Sequence, residues 1–562
     1  MNILIIGNGG REHALAWKAA QSPLADKVFV APGNAGTALE QKVENVNIAA
    51  TDIPALVKFA QDKQIRLTIV GPEAPLVIGV VDAFRAAGLK IFGPTQAAAQ
   101  LEGSKAFTKD FLARHKIPTA EYQNFTEVEP ALTYLREKGA PIVVKADGLA
   151  AGKGVIVAMT LQEAEDAVRD MLSGNVFGEA GSRVVIEEFL DGEEASFIVM
   201  VDGKNVEPMA TSQDHKRVGE NDTGLNTGGM GAYSPAPVVT PEIHDRIMRE
   251  VIYPTVNGMA AEGNVYTGFL YAGLMIMPNG QPKVIEFNCR FGDPETQPIM
   301  LRLESDLVEL CLKACEGKLD EVKSQWNPKA SLGIVLAAEG YPGDYRKGDV
   351  ISGLPQSAVE NEKVFLAGVA EQEGKLVTNG GRVLCVTALG ESVFEAQQKA
   401  LKLAEQIQWT GRFYRRDIGY RAVKREQQKQ RHLMLRDRMD YKNKELCRLR
   451  TISFFLTLHK DKTQWEEALY SVKRDVDLLL PAVQKAGYTL QSIRVITNPF
   501  REYLDLTNLQ TAKADLQYLT ELLNKFNESG IRLRFAIGAA RNKEEIALLP
   551  ELIAAYGDLC NA

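Results

Sequence analysis

Four short apolar runs punctuate the first hundred residues, at 3–6, 27–30, 67–70 and 90–92, and amphipathic stretches such as 12–20 and 53–61 lie between them. Such runs, separated by helical patterns, predict strand–helix–strand units that pair in parallel through right-handed crossovers. Glycines follow the apolar runs at Gly7, Gly33, Gly71 and Gly93. In an open parallel sheet ligands bind beyond the carboxyl ends of the strands, where glycine lets backbone approach them. A single glycine there is more often only a turn residue, so none of the four by itself marks a contact.

The rest of the chain reads as further α/β and α+β segments. Strands are expected at 141–145, 155–157, 183–188 and 380–387, with a helix near 161–172 and a long polar, glycine-rich stretch at 213–231. Residues 424–450 carry ten Lys/Arg against four Asp/Glu with no glycine or proline, which predicts an exposed connecting helix. Beyond it, strands at 451–458, 492–497 and 532–537 alternate with helices at 464–485 (Pro481 as a kink), at 511–526 and at the end. The expected domains are 1–103, 104–190, 191–328, 329–424, the connector 425–450 and an appended α/β module 451–562. A length of 562 residues suits about four domains.

The overall charge of −7 argues against a nucleic-acid coat, and no run of 18 apolar residues offers a membrane span. Six Cys without a disulfide pattern and an opening segment unlike a secretory leader lead to the expectation of a cytoplasmic protein.

Two phosphate-binding fingerprints fail on inspection. Gly7-Asn-Gly9-Gly10-Arg11-Glu12 follows a strand and opens a helix, but the dinucleotide motif needs glycine where Glu12 stands. A carboxylate there is expected to crowd the helix–strand contact and repel a pyrophosphate, which disfavours a dehydrogenase. The helix start beside Arg11 still suits a lone phosphate. Gly148 to Gly154 is one residue short of a P-loop and lacks its Ser/Thr. A glycine-rich loop flanked by Lys145 and Lys153 can nevertheless cover phosphates.

Chemistry is strongest around Lys283-Val-Ile-Glu286-Phe-Asn288-Cys-Arg290-Phe-Gly-Asp293-Pro-Glu295-Thr-Gln297. On a strand, Glu286, Asn288 and Arg290 project from one face, with Ile285, Phe287 and Cys289 opposite. A carboxylate and an amide oxygen so placed are hard ligands suited to Mg²⁺ on nucleotide phosphates. Arg290 adds a fork for phosphoryl or acyl-phosphate oxygens.

Together with Lys105, Lys145 and Glu187-Glu188-Phe189-Leu190, this region resembles the ATP-grasp superfamily. Within it the chain resembles the phosphoribosylamine–glycine ligase family. The stretches that carry the likeness are 7–14, 70–76, 92–94, 104–109, 145–154, Gln213-Asp214-His215-Lys216, 226–231 and 290–297. The resemblance covers residues 1 to about 425. It implies a Rossmann-like N-terminal parallel sheet, a glycine-rich lid subdomain, a central ATP-grasp domain and a small C-terminal domain, with the last module left over. It also implies the reaction: ATP, glycine and 5-phosphoribosylamine give glycinamide ribonucleotide, ADP and phosphate through a glycyl phosphate, in purine biosynthesis.

Carried over residue by residue, the resemblance assigns nucleotide phosphates to Lys105, Lys145 and the loop containing Gly152, Lys153 and Gly154. It assigns the adenine slot to Glu187 and Leu190, the ribose to Glu194, and Mg²⁺ or Mn²⁺ to Glu286 and Asn288. Gly9, Gly10, Arg11, Glu12, Pro72 and Glu73 would face phosphoribosylamine, with Asp214, Lys216, Arg290 and Asp293 as further substrate contacts. The catalytic candidates are Arg290, Lys145, Asp214 and His215, although a lone loop histidine is more often structural or a substrate hydrogen-bonder. An earlier metal carboxylate found in many ATP-grasp enzymes is missing, since this chain reads Tyr271-Ala-Gly273-Leu274 there. Another carboxylate–amine ligation on the same fold is the competing reading. A monomer or weak oligomer is expected, and the tail is expected to dock a protein partner rather than form a second active site.

Overall fold

A computed structural model describes residues 1–148, 154–173, 183–438, 449–527, 533–557 and 559. The chain divides into two compact units, Met1–Gln427 and Gln428–Ala562.

In the first unit, β1 (Asn2–Gly7), β2 (Lys27–Pro32), β3 (Val43–Asn45), β4 (Ile65–Val70) and β5 (Ile91–Phe92) form one parallel sheet in the order β3-β2-β1-β4-β5. Ile3, Leu4, Ile5 and Ile6 of the central strand are fully buried, as a parallel strand covered on both faces requires. One face packs on the Gly10–Ala20 helix and on Phe269, Phe291 and Ile299 from the middle of the chain. The Ile53–Asp62 and Val80–Ala86 helices close the other. The polar β3 was not foreseen, because three residues reading Val-Glu-Asn carry no strand periodicity.

Strands β6 (Tyr122–Phe125), β7 (Ile142–Ala146), β8 (Val155–Ala158) and β9 (Val184–Glu188) make an antiparallel sheet in the order β6-β9-β7-β8. Residues 149–153, which include Gly152 and Lys153, fall outside the described residues. Gly154 is described, and its carbonyl accepts from the Ala146 N–H at 2.7 Å where β7 and β8 meet.

Next come β10 (Glu193–Asp202), β11 (Val206–Pro208), β12 (Gln213–Asp214), the hairpin of β13 (Arg217–Gly219) and β14 (Thr223–Asn226), and β15 (Gly231–Ser234). They are followed by β16 (Thr267–Ile276), β17 (Pro282–Asn288), β18 (Ala330–Ala337), β19 (Glu362–Leu366), the pair β20 (Val369–Gln372) and β21 (Lys375–Thr378), and β22 (Arg382–Gly390). Two sheets result, β11-β10-β16-β17 and β12-β15-β18-β22-β19.

The second unit contains β23 (Leu449–Leu456), β24 (Leu490–Thr497) and β25 (Leu533–Ala536), parallel and in sequence order. The helices Trp465–Lys485, Leu509–Phe526 and Lys543–Tyr556 share a core with this sheet, built on Trp465, Leu469, Leu516, Leu519, Ile493, Val495 and Leu552. The first of these helices runs on for four residues past Pro481. Of the connecting helix expected over 425–450, the structure shows Tyr420–Arg438, and residues 439–448 lie outside the described residues. It starts inside the first unit, where the Glu426 carboxylate accepts the N–H groups of Val393 and Phe394 at the start of the Val393–Gln406 helix. Among the described residues no helix is long and apolar enough to cross a membrane.

Candidate active site

A cleft of about 670 Å³ lies between the β7–β8–β9 layer and the β16–β17 layer, bordered by Arg11 and Glu73 from the N-terminal sheet and Arg382 from β22. Its volume is within the range of small-molecule sites.

Strand β17 supplies the centre. Asn288, Phe287 and Glu286 pair with Tyr271, Ala272 and Gly273 of β16, and then the register shifts so that Leu274 faces Val284. Ile285 is the extra residue of this bulge. Contrary to the expected alternation, it lines the cleft instead of joining Phe287 and Cys289 in the core. The strand ends at Asn288, so Arg290 lies beyond it yet still reaches the cleft.

Cations crowd the floor. Lys105 and Lys109 sit four residues apart on the Lys105–Arg114 helix, which Ser104 caps through the Phe107 N–H, and this spacing brings both to one face. Lys105 Nζ donates to the Gly148 carbonyl at 2.9 Å. Lys145 Nζ donates to the Ile285 carbonyl at 3.1 Å and lies 3.1 Å from the Glu187 carboxylate. Lys109 is 3.3 Å from the same carboxylate and donates to Thr119 Oγ1. Burial pushes Lys109 down to about 8 and lowers Lys105 as well.

The Glu187 side chain thus pairs with two lysines, and the residue lines the cleft together with Leu190. Leu190, Glu194 and Met275 line the cleft farther along, and Glu194 accepts from Lys216 Nζ at 3.1 Å. Lys216 also lies 3.9 Å from Glu286. Burial opposes its charge, yet Glu194, Asp214 and Glu286 raise it well above its ordinary value. Burial likewise opposes the Glu286 carboxylate, but Lys216, Lys145, Lys105 and Arg290 hold it below the usual carboxylate range. Asp214 follows the opposite course: burial and the neighbouring Glu295, Glu194 and Glu286 push it up to about 8, despite Lys216.

Arg290 lies 3.2 Å from Glu102 and 3.3 Å from Glu73. Glu102, which reasoning from sequence missed, is buried and accepts the Cys289 N–H, and burial pushes it up to about 7. Arg11 donates to the Phe291 carbonyl and to Glu12. Glu12 caps the helix through the Gly9 N–H, and a Cβ on Gly7 or Gly71 would fall 2.4 or 2.3 Å from its side chain. The two glycines therefore make room for the carboxylate that was expected to crowd this contact. Glu12 is 1 % exposed and supports the turn from beneath. It does not line the cleft, and neither does Pro72, whereas Glu73 and Arg11 do. Gly9 borders Asp293 and Gly10 borders Gln297.

Asp293 accepts from Gln297 at 2.9 Å and faces Arg382 at 3.7 Å. Arg382 also donates to the Gly228 and Asp293 carbonyls. No local sequence signal announces this arginine, some 90 residues downstream. Lys109, by contrast, could have been read from its spacing to Lys105.

His215 lines the cleft wall, but both its nitrogens are engaged. Nε2 accepts the Gly419 N–H at 3.0 Å, and Nδ1 faces Asp222 at 3.5 Å. Burial lowers its pKa in spite of Asp222. This geometry holds the loop in place and corrects the reading of His215 as a catalytic group.

A divalent cation fits beside β17. Glu286 is held anionic, and neither its carboxylate nor the Asn288 amide has a hydrogen-bond partner among the described residues. No three His, Cys, Asp or Glu side chains converge there as a metal cluster among the described residues, so phosphate oxygens and water would have to complete the coordination.

The fold and cleft have close counterparts. Residues 1–102, 103–296 and 331–421 match the N, ATP-grasp (A) and C domains of phosphoribosylglycinamide synthetase. The phosphoribosylamine–glycine ligase of Haemophilus influenzae is 94% identical over 429 residues, covering 76% of this chain and all of that protein. That of Pasteurella multocida is 88% identical over 426 residues, covering 76% of this chain and 99% of the relative. The crystal structure of the Thermotoga maritima phosphoribosylamine–glycine ligase superposes with a TM-score of 0.66 at 35% identity, over 74% of this chain and 100% of that one. These matches span the N-terminal sheet, the β6–β9 layer and the cleft between β9 and β17, and on them the chain belongs to the phosphoribosylamine–glycine ligase family of ATP-grasp enzymes.

Proposed function

We propose that the first unit joins glycine to 5-phosphoribosylamine at the expense of ATP, giving glycinamide ribonucleotide, ADP and phosphate. The observation that carries this reading is a cleft in which Lys145, Lys216 and Arg290, with Lys105 in the recess adjoining it, hold Glu286 ionised beside Asn288, while Arg11 approaches from a helix start. In this reading Lys105 and Lys145 neutralise the nucleotide phosphates, Leu190 and Met275 form the apolar wall for adenine, and Glu194 meets the ribose. Glu286 and Asn288 hold Mg²⁺ or Mn²⁺, which when bound neutralises charge on the nucleotide phosphates.

A carboxylate is a poor acylating agent, so a glycine oxygen first attacks the γ-phosphorus and ADP leaves. Positioning and charge neutralisation dominate such a step, and Arg290 is placed to carry the acyl-phosphate oxygens. The ribosylamine nitrogen then attacks the acyl carbon, and phosphate departs with the carboxylate oxygen and can accept the amine proton. The ribose phosphate is read to sit at the start of the Gly10–Ala20 helix, where free N–H groups and Arg11 converge.

ADP release that needs glycine and phosphoribosylamine together, and that is abolished by Glu286→Ala or Lys145→Ala, tests this reading. Full turnover in either variant contradicts it. The described cysteines, Cys289, Cys311, Cys315 and Cys385, are all free, which supports placing the enzyme in the cytoplasm.

For the second unit we propose a docking or assembly role. Its polar groups at the strand ends serve one another, as in Arg501–Glu545, Arg541–Glu502 and Lys462–Asp515. Removal of the unit that alters sedimentation but not kinetics supports this role, and loss of a separate activity contradicts it.

A further inference from the structure

The second unit leaves two complementary surfaces without a partner. Its strands β23, β24 and β25 are parallel and adjacent in chain order. Two right-handed crossovers that progress in one direction carry both connecting helices to the same face of such a sheet. The Lys543–Tyr556 helix shares that core, into which Ile452, Phe454, Ile493, Val495 and Phe535 point. The opposite face carries Ser453 and Phe455 of β23, in register with Arg494 and Ile496 of β24, and Arg534 of β25. None of the three helices covers it: Phe455 is 82 % exposed, and neither Phe455 nor Ile496 belongs to the core.

A parallel sheet is ordinarily covered on both faces. Arg494 and Arg534 stand in register on neighbouring strands, both exposed, and neither guanidinium has an ion pair among the described residues. Like charges so placed repel, so the occupant that suits this face brings negative charge together with apolar surface. The Lys543–Tyr556 helix offers both on its outer side. While Glu545 and Leu552 are buried, Ile546 (56 % exposed), Pro550 and Ile553 stand out at i, i+4 and i+7, one stripe of the helix. Glu544 and Glu551 flank the stripe, and Lys543 opens the helix beside it. Glu544 has no ion pair among the described residues, and Glu551 has a surface pair with Lys513 at 3.5 Å, a contact of little energy.

We infer that the second unit binds a second copy of this chain, the Ile546–Pro550–Ile553 stripe of one copy lying on the Phe455–Ile496 face of the other, with Glu544 and Glu551 meeting Arg494 and Arg534. The contact is head-to-tail, because two like faces would set arginine against arginine. The inference rests on the docking role proposed for this unit and names what docks.

Sedimentation equilibrium of the full chain, up to about 100 µM so that a weak contact registers, tests it. Wild type is expected to associate with rising concentration. Phe455→Glu and Ile553→Glu, both at exposed positions, are each expected to raise the dissociation constant at least about ten-fold. Mixed together, these two variants are expected to form a complex that stops at two chains, because one keeps the stripe and the other keeps the face. Leu478→Glu, at another exposed apolar position, is the control and is expected to associate like wild type. A wild type that stays a single chain overturns the inference in favour of a different partner. Single variants that associate like wild type, a mixture that stays monomeric, or a control as impaired as the others also overturn it. Loss of a separate activity on removing the unit would instead refute the docking role itself.

Discussion

Glu187→Gln probes the balance of charge beneath the cleft. The carboxylate is 4 % exposed and stands 3.1 Å from Lys145 and 3.3 Å from Lys109, both equally buried. Removing one partner of a buried ion pair costs roughly 3–5 kcal/mol, because the remaining charge loses its compensation. Here two ammonium groups are left, Lys145 on the Ile285 carbonyl and Lys109 on Thr119 Oγ1 and over the Tyr122 ring. Unfolding entropy of about 2.1 cal/mol/K per residue, taken over the unit Met1–Gln427, comes to roughly 0.9 kcal/mol/K. A loss of about 4 kcal/mol then lowers the melting temperature of that unit by about 4–5 °C. Scanning calorimetry on the full chain measures it. Adding Lys109→Met removes the surplus charge and is expected to restore at least half the loss, a coupling that a double-mutant cycle isolates. A melting temperature within 1 °C of wild type, or strictly additive effects, refutes the reasoning.

Three further outcomes are expected. Glu102 is held near 7 in the folded protein against an ordinary 4.5, so the folded state keeps a proton that the unfolded state releases. Stability is therefore expected to fall as pH rises from about 4.5 to 7, by at most about 3 kcal/mol, and Glu102→Gln should flatten that slope in melting curves. Gly71→Ala places a methyl 2.3 Å from Glu12 Oε1; an overpacking cost of about 1–3 kcal/mol and a raised KM for phosphoribosylamine are expected, while an unchanged KM would detach this crevice from the substrate. A chain ending after Gln430 keeps the Arg425–Glu193 pair and the Glu426 cap and is expected to turn over at the full rate, whereas one ending after Lys424 loses both and should melt earlier.

Local periodicity made most of the architecture legible. The alternation of apolar runs with amphipathic stretches sufficed for the parallel sheet, because a strand such as Ile3–Ile6, buried on both faces, must be apolar throughout. β3 escaped, since an edge strand of three mostly polar residues has neither signal. Glu286, Asn288, Arg290 and Lys145 were legible as chemistry-bearing types in strand or loop contexts, and the structure brings them into one cleft. What sequence spacing cannot convey is tertiary pairing. Arg382 arrives from another sheet, Glu102 meets Arg290 across nearly 190 residues, and the bulge at Ile285 turns an apparent core residue toward the ligand side. Glu12 was misjudged because the space for it comes from Gly7 and Gly71 together, one ending β1 and the other just beyond β4.

The central claim is that ATP activates the carboxyl group of glycine at the Glu286 end of the cleft. Glycine labelled with ¹⁸O in both carboxylate oxygens tests it most directly, by mass spectrometry of the released phosphate. One labelled oxygen per turnover in phosphate, and none in ADP, is the predicted result; phosphate free of label would contradict the account.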